Sequence, residues 1–201
     1  MPATRVDGRS LRYRHRRAEL LEALTDYLVD EGLREFSLRR AAVSLGVTHA
    51  TLLRHFRSKD DLLAEVIDNL RVSLLARLEA DPELRSARST RRFMLSAWRL
   101  LDNPRGRREF LLLFAAIGEV SPRAVVSETF AKAAVQDWLG PIERSLVRDG
   151  WPEEQAPVMA TAALSLIRGL QLDEVVTGDR ERSYRAFTLA VDRLLDDRAR
   201  S

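Results

Sequence analysis

Residues 37–56, SLRRAAVSLGVTHATLLRHF, constrain this chain more than any other stretch, because their spacing suits two short helices at a fixed angle. Ser37 stands where its hydroxyl accepts from the unpaired N–H groups of a helix start. Leu38, Ala41, Ala42 and Leu45 follow at i, i+3, i+4 and i+7, one apolar stripe of a helix. Gly46 ends that stripe, where a left-handed residue costs no Cβ clash. Thr48 opens the next helix as N-cap, and Val47 with Leu52 is placed to form a hydrophobic staple across it. Small Ala41 and Ala42 let the two helix axes approach closely. The pattern predicts a helix-turn-helix.

If Leu52 and Phe56 are the buried side of the second helix, about 100° per residue places Ala50 and Arg54 opposite. Thr51 lies beside them, and Leu53 and His55 fall on the flanks. A helix of this size fits the major groove of duplex DNA, with outward residues toward base edges and flanks toward the walls. His49, Ala50 and Thr51 are therefore the candidates for base contact. Ala50 and the Thr51 methyl suit a thymine methyl, while His49 suits a guanine or a phosphate. Arg39 and Arg40, early in the preceding helix, and the Arg12–Arg17 arm are candidates for backbone or minor-groove contact. Arg54 serves equally well as a DNA contact or as a surface ion-pair partner.

Charge placement agrees. Residues 1–17 carry six Arg against one Asp, and residues 1–60 carry 12 basic against 8 acidic residues. Residues 61–201 carry 21 basic and 22 acidic, so the whole excess of the +3 chain lies with the motif, as a phosphate-binding end requires. Lysine occurs only at 59 and 132, so part of the arginine bias reflects general codon usage. The chain has no cysteine, which removes disulfides, thiolate catalysis and cysteine-held zinc together. No apolar run reaches the ~18 residues of a membrane span, and the basic N-terminus lacks an apolar signal region. The expectation is a soluble cytoplasmic protein.

Strand signals are nearly absent, and Pro and Gly punctuate long helical patterns, so the fold class is all-α with about nine helices. Residues 1–12 read as a basic flexible arm, 13–58 as a three-helix helix-turn-helix domain, and 59–201 as a larger helical domain. The first helix carries Leu20, Leu21, Leu24, Tyr27 and Leu28. A fourth, capped by Ser58, carries Leu62, Leu63, Val66, Ile67, Leu70, Leu74 and Leu78 before Asp81-Pro82. Pro82, Pro104, Pro122 and Pro152 mark further boundaries, and Ser121 signals a start. Phe110–Ile117 is eight apolar residues in a row, which predicts a helix buried on every side. Val126, Phe130, Ala134 and Trp138 recur every fourth residue in a helix that Pro141 should kink.

The same residues resemble the TetR family of transcriptional regulators. The likeness rests on Ala41-Ala42, Gly46-Val47-Thr48, Thr51-Leu52-Leu53-Arg54-His55-Phe56 and Lys59. It runs from about residue 14 to 67, with a looser likeness over the last fifty or so. Two positions depart: Ala41 stands where Ile is usual, and Leu53 where the family has a Tyr whose hydroxyl contacts a phosphate. The resemblance implies that Thr48, His55 and Lys59 bind phosphates. It implies middle helices enclosing an effector cavity, for which Phe93, Met94, Trp98, Phe110, Phe114, Phe130, Trp138 and Met159 are candidate lining residues. Arg99, Glu119, Asp137 and Arg168 are candidate polar partners there. Side chains of this kind at helical spacing more often form an ordinary core than line a pocket.

One helix per groove gives few base contacts, so a twofold dimer on a palindromic double-stranded operator is expected. Its candidate interface lies on the last two helices, at Ala162, Leu166, Gly169 and Leu170, then Phe187, Val191, Leu194 and Leu195. The regulator expected is a homodimeric repressor released by an unidentified small molecule, with no cofactor or metal and no membrane partner. Its alternatives are a ligand-dependent activator and an interaction protein of the same fold without specific DNA binding. An enzyme is not expected. The three histidines are His15, His49 and His55, and the last two lie about 240° apart on one helix, too far round to chelate together. No P-loop, GxSxG, HExxH or GxGxxG is present.

Overall fold

The computed structural model describes residues 8–34, 36–118 and 128–196, all helices and their connections. Among these described residues ten helices follow in order: α1 Gly8–Glu31, α2 Leu38–Ser44, α3 His49–His55, α4 Lys59–Ala80, α5 Pro82–Arg85, α6 Thr90–Leu101, α7 Pro104–Gly118, α8 Glu128–Arg148, α9 Ala156–Thr177 and α10 Arg180–Asp196. No strand occurs among the described residues. The tenth helix is α5, four residues that the sequence reading folded into a boundary. Pro82 opens this helix, and Asp81 caps it by accepting from the Leu84 N–H at 2.9 Å. Residues 8–12, expected in the flexible arm, are the first turns of α1; residues 1–7 lie outside the described residues, as do Glu119, Ser121, Pro122 and Val126.

Two compact units make up the chain. One comprises Met1–Val72 with Leu111–Glu128, the other Ser73–Phe110 with Thr129–Ser201. The first unit thus takes in most of α4, beyond the boundary expected at residue 58. The reason is burial: Leu62, Leu63, Val66, Ile67 and Leu70 of α4 are all buried, as are Leu20, Leu24 and Leu28 of α1. A polar pair ties the same two helices, with Asn69 Nδ2 donating to Thr25 Oγ1 at 3.0 Å.

In the second unit the core gathers Met94, Trp98, Ile142, Leu146, Trp151, Ala160, Ala163, Ile167, Phe187 and Val191. Trp98 and Phe187 stack with ring centroids 4.5 Å apart. Phe187 and Val191, expected at a dimer interface, are therefore interior residues of this unit. Leu166, Leu170, Leu194 and Leu195 pack half-buried against that core, while Ala162 and Gly169 stay exposed. Of the expected cavity residues, Met94 is fully packed, and Phe93, Trp138 and Met159 are half-buried against the same core. A stripe at helical spacing does not tell core from pocket, and here most of it is core.

The run Phe110–Ile117 also departs from expectation. Leu112 and Ala116 are buried, but Leu111 and Phe114 are about two-fifths exposed, so α7 shows an apolar face among the described residues. The corner into α7 is tight. Asn103 accepts from the Gly106 N–H at 2.9 Å and donates to the Leu100 carbonyl at 2.9 Å. A Cβ on Gly106 would lie 2.0 Å from the Leu101 carbonyl oxygen, a backbone atom that cannot swing aside. Gly106→Ala should therefore cost about 1–3 kcal/mol in urea unfolding, as overpacking does. An unchanged or raised midpoint would show that this corner has slack.

Candidate nucleic-acid interface

The two helices of the motif form as their caps require. Ser37 Oγ accepts from the Arg40 N–H at 3.2 Å, and Thr48 Oγ1 accepts from the Thr51 N–H at 3.1 Å. Between them Gly46 sits at φ +64°, the left-handed turn that breaks α2. Seven residues are too few for a helix to persist alone, so α3 depends on what holds it. Leu52 is 0% exposed and Phe56 1%, the two apolar anchors. Arg17 of α1 adds a polar latch: its Nε donates to the His55 carbonyl at 3.2 Å, its other end pairs with Glu65 of α4, and its guanidinium lies 5.1 Å from the Phe56 ring centre. Arg17 is thereby a structural residue, although the sequence placed it in a DNA-contacting arm.

Opposite the anchors, Thr48, His49, Ala50, Leu53 and Arg54 are exposed, and Thr51 is half-buried with its hydroxyl 2.9 Å from that of Thr48. Arg39 and Arg40 of α2 are exposed as well; Arg40 faces Glu31 at 3.8 Å. Lys59 opens α4, where the helix dipole disfavours a cation. Its ammonium lies 5.6 Å from the centre of the Phe36 ring, and that ring face offsets the cost without any phosphate. Asp60 and Asp61 in the same turn favour the helix start.

His55 corrects the sequence reading. It was expected on an exposed flank, yet it is 6% exposed, beneath the ring of Tyr13 with centroids 4.6 Å apart. The Tyr13 hydroxyl donates to the Arg54 carbonyl at 3.0 Å, fixing the ring over the end of α3. The misjudgement has a plain origin: α1 starts early enough to bring Tyr13 over the flank. Neither ring nitrogen of His55 has a hydrogen-bond partner. Burial, followed by the nearby Arg54, Arg17 and Arg16 charges, pushes its pKa below the usual 6.5.

In the second unit, a cavity of about 10 Å³ is lined by Trp98, Leu101, Asp102, Arg107, Phe110, Gln171, Glu174 and Val175, room for about one water. Trp98 and Phe110 alone of the expected lining residues border it; the side chain of Phe130 lies outside the described residues. Arg107 bridges Asp102 at 2.9 Å and Glu174 at 3.2 Å, and Arg180 reaches Asp102 at 2.9 Å. Glu174 is almost wholly buried; burial, then the Asp102 carboxylate beside it, raises its pKa above 4.5. Sequence reasoning missed this group, although Glu174 continues the buried stripe Ala160, Ala163, Ile167 of α9, an unusual place for a carboxylate. Of the polar partners expected instead, Arg99 pairs with the exposed Glu83 and with Ser96.

The His55 shift sets a pH dependence. A base whose folded pKa is lowered contributes stability that is present above about 6.5 and lost as pH falls through the folded value. His55→Phe keeps a ring beneath Tyr13 and removes the titration. The stability difference between variant and parent should shift in favour of the variant as pH drops from about 7 to about 5 in urea unfolding. A difference that stays constant with pH would contradict a buried, neutral imidazole.

Among the described residues no helix is long and apolar enough to cross a membrane, and no group of three or more His, Asp or Glu is placed to hold a metal. A family-level sequence model described as bacterial regulatory proteins, tetR family, matches residues 20–66. No curated protein matches. Among solved structures, a transcriptional regulator from Rhodococcus sp. Rha1 is 25% identical, with TM-score 0.73 over 90% of this chain and 96% of that one. BioQ with its double-stranded DNA operator is 21% identical, with TM-score 0.58 over 92% and 98% of the two chains. The multidrug binding protein EbrR complexed with imidazole is 18% identical, with TM-score 0.64 over 90% and 89%. The last two likenesses speak to fold, and the matched segment spans α2, α3 and the sequence grammar that positions them. Residues 20–66 thus carry the sequence pattern of the bacterial regulatory proteins, tetR family, and the chain as a whole is similar in fold to solved transcriptional regulators.

Proposed function

We propose that the chain is a cytoplasmic DNA-binding transcriptional regulator, a homodimeric repressor that lays α3 of each protomer in successive major grooves of a palindromic operator. The observation that carries this reading is the division of α3 into two sides. Leu52 and Phe56 are fully buried, and Thr48, His49, Ala50 and Arg54 are presented to solvent. That is the arrangement a reading helix needs, since a helix that spent its polar side on its own domain would have nothing left for base edges. BioQ, similar in fold, was solved with its operator, which supports the same use of this architecture here. Leu53 for the usual Tyr removes one phosphate-contacting hydroxyl and leaves this side of the helix intact, so an interaction-only protein is the less favoured reading.

Dimerisation finds support in α9 and α10, which pack together in the second unit and leave an apolar face outward. Val158, Ala162, Gly169, Leu172 and Val176 of α9 lie on one exposed stripe, with Leu189 exposed on α10. A Cβ on Gly169 would meet nothing within 4 Å, so this point of α9 is open to close approach by another helix. A largely apolar stripe of this kind, interrupted only by Ser165 between Ala162 and Gly169, marks an association surface. It shares Ala162 and Gly169 with the set expected from sequence, while Phe187 and Val191 of that set are buried.

The effector reading rests on the small cavity beside Trp98. The indole N–H there is buried without a partner, and Gln171 and Glu174 border the same space. A ligand larger than one water would have to widen it. Such a ligand releases DNA only if it binds the DNA-incompetent arrangement more tightly than the competent one.

Selection of the purified protein against a random duplex pool tests the main reading. An inverted repeat should be enriched, with half-site centres about one helical turn or a multiple of it apart. A pool that stays unenriched after several rounds would overturn sequence-specific binding. Val176 is 76% exposed, so Val176→Glu should leave the fold intact while raising the dimer dissociation constant at least about tenfold in sedimentation velocity. Unchanged sedimentation would remove the α9 stripe from the interface.

A further inference from the structure

The first unit carries a second cationic feature that the reading helix does not account for. An open groove of about 450 Å³ is lined by Arg12, Tyr13 and Arg16 of α1 with Arg54 and His55 of α3. Arg12 and Arg54 have no carboxylate partner among the described residues; Arg16 pairs with Glu19, which also faces His15. Arg17 is spent on Glu65 and the His55 carbonyl, whereas the Arg16–Glu19 pair is solvent-exposed and weak enough for a phosphate to displace, and Arg12 and Arg54 stand uncompensated around the groove. The protein also commits structure to the place: the Tyr13 hydroxyl is tied to the Arg54 carbonyl, which holds α1 against the end of α3. His55 supplies an independent sign. One nitrogen of a neutral imidazole carries a hydrogen, and this buried ring, lining the groove, has no acceptor for it. A buried donor without an acceptor is costly, and an anion's oxygens would supply one.

We propose that Arg12, Arg16 and Arg54, with Tyr13 as their positioning residue, form a phosphodiester-binding site through which the start of α1 grips the DNA backbone next to the half-site read by α3. The proposal rests on the DNA-binding reading and adds to it backbone contacts from α1, ahead of the helix-turn-helix, that converge with Arg54 of α3. Duplex DNA is the source of the phosphate because the groove is open along one side and shares Arg54 with the exposed side of α3. Guanidinium forks suit phosphate oxygens in such a site. Arg17, one residue on, takes no part, since its donors are spent within the unit.

The test is the salt dependence of binding to a mixed-sequence 30-base-pair duplex, read by fluorescence anisotropy on the full-length protein. Each phosphate contact contributes a slope of about 0.9 in log K against log salt. Arg12→Gln/Arg16→Gln should lower the slope by about two units per protomer. Arg85→Gln/Arg88→Gln, an equal loss of charge on exposed residues of the second unit, should leave it unchanged. Equal falls for both pairs would reduce the effect to net charge and overturn the site. An unchanged slope for the α1 pair, with the parent still binding, overturns the site alone. Failure of the parent to bind the duplex at low salt overturns both this inference and the DNA-binding reading. Inorganic phosphate, added at constant ionic strength, should compete only weakly; competition at low millimolar concentration, lost in the α1 variant, would make the groove a free-anion pocket instead.

Discussion

Everything in the first unit depends on holding a seven-residue helix still. Helix α3 is below the length at which a helix persists in water, so its geometry is set by its attachments. Leu52 and Phe56 bury one side, Thr48 satisfies a free N–H at the start, and Arg17 donates to the carbonyl of His55 at the end. Each attachment is on the inward side or at a terminus. The outward side is free because the inward side carries the whole fixing, and a rigid outward side is what base recognition needs.

Much of that was legible in the sequence. Ser37, Gly46 and Thr48 announce the caps and the turn by chemistry that acts within three or four residues, and the structure places them as that chemistry requires. The alternation of buried Leu52 and Phe56 with exposed Ala50 and Arg54 follows from helical period alone. What was not legible depends on contacts far apart in the chain. His55 is buried because Tyr13 lies over it, 42 positions earlier, and no local pattern reports that pairing. Arg17 reads as one of six basic residues near the N-terminus, yet its donors are spent on the His55 carbonyl and Glu65.

The second unit repeats the lesson at helix faces. Periodicity identified apolar stripes on α9 and α10, but a stripe cannot say whether it faces its own core or another chain. Phe187 turns inward to stack on Trp98, Val191 joins the same core, and the exposed α9 stripe runs through Gly169 and Val176. Likewise the eight-residue apolar run of α7 is buried on only part of its circumference. Glu174 was visible as a carboxylate at a core register; reading it correctly needed the knowledge that Arg107 and Arg180 converge on it and on Asp102.

Site-specific photocrosslinking tests the central claim most directly. A photoreactive phenylalanine analogue in place of Ala50, with the same group in place of Leu189 as reference, is irradiated with the duplex that the protein selects. The account predicts crosslinks from position 50 to bases within each half-site and none from position 189. Persistent binding with no base crosslinked from position 50 would mean that the exposed side of α3 does not read DNA.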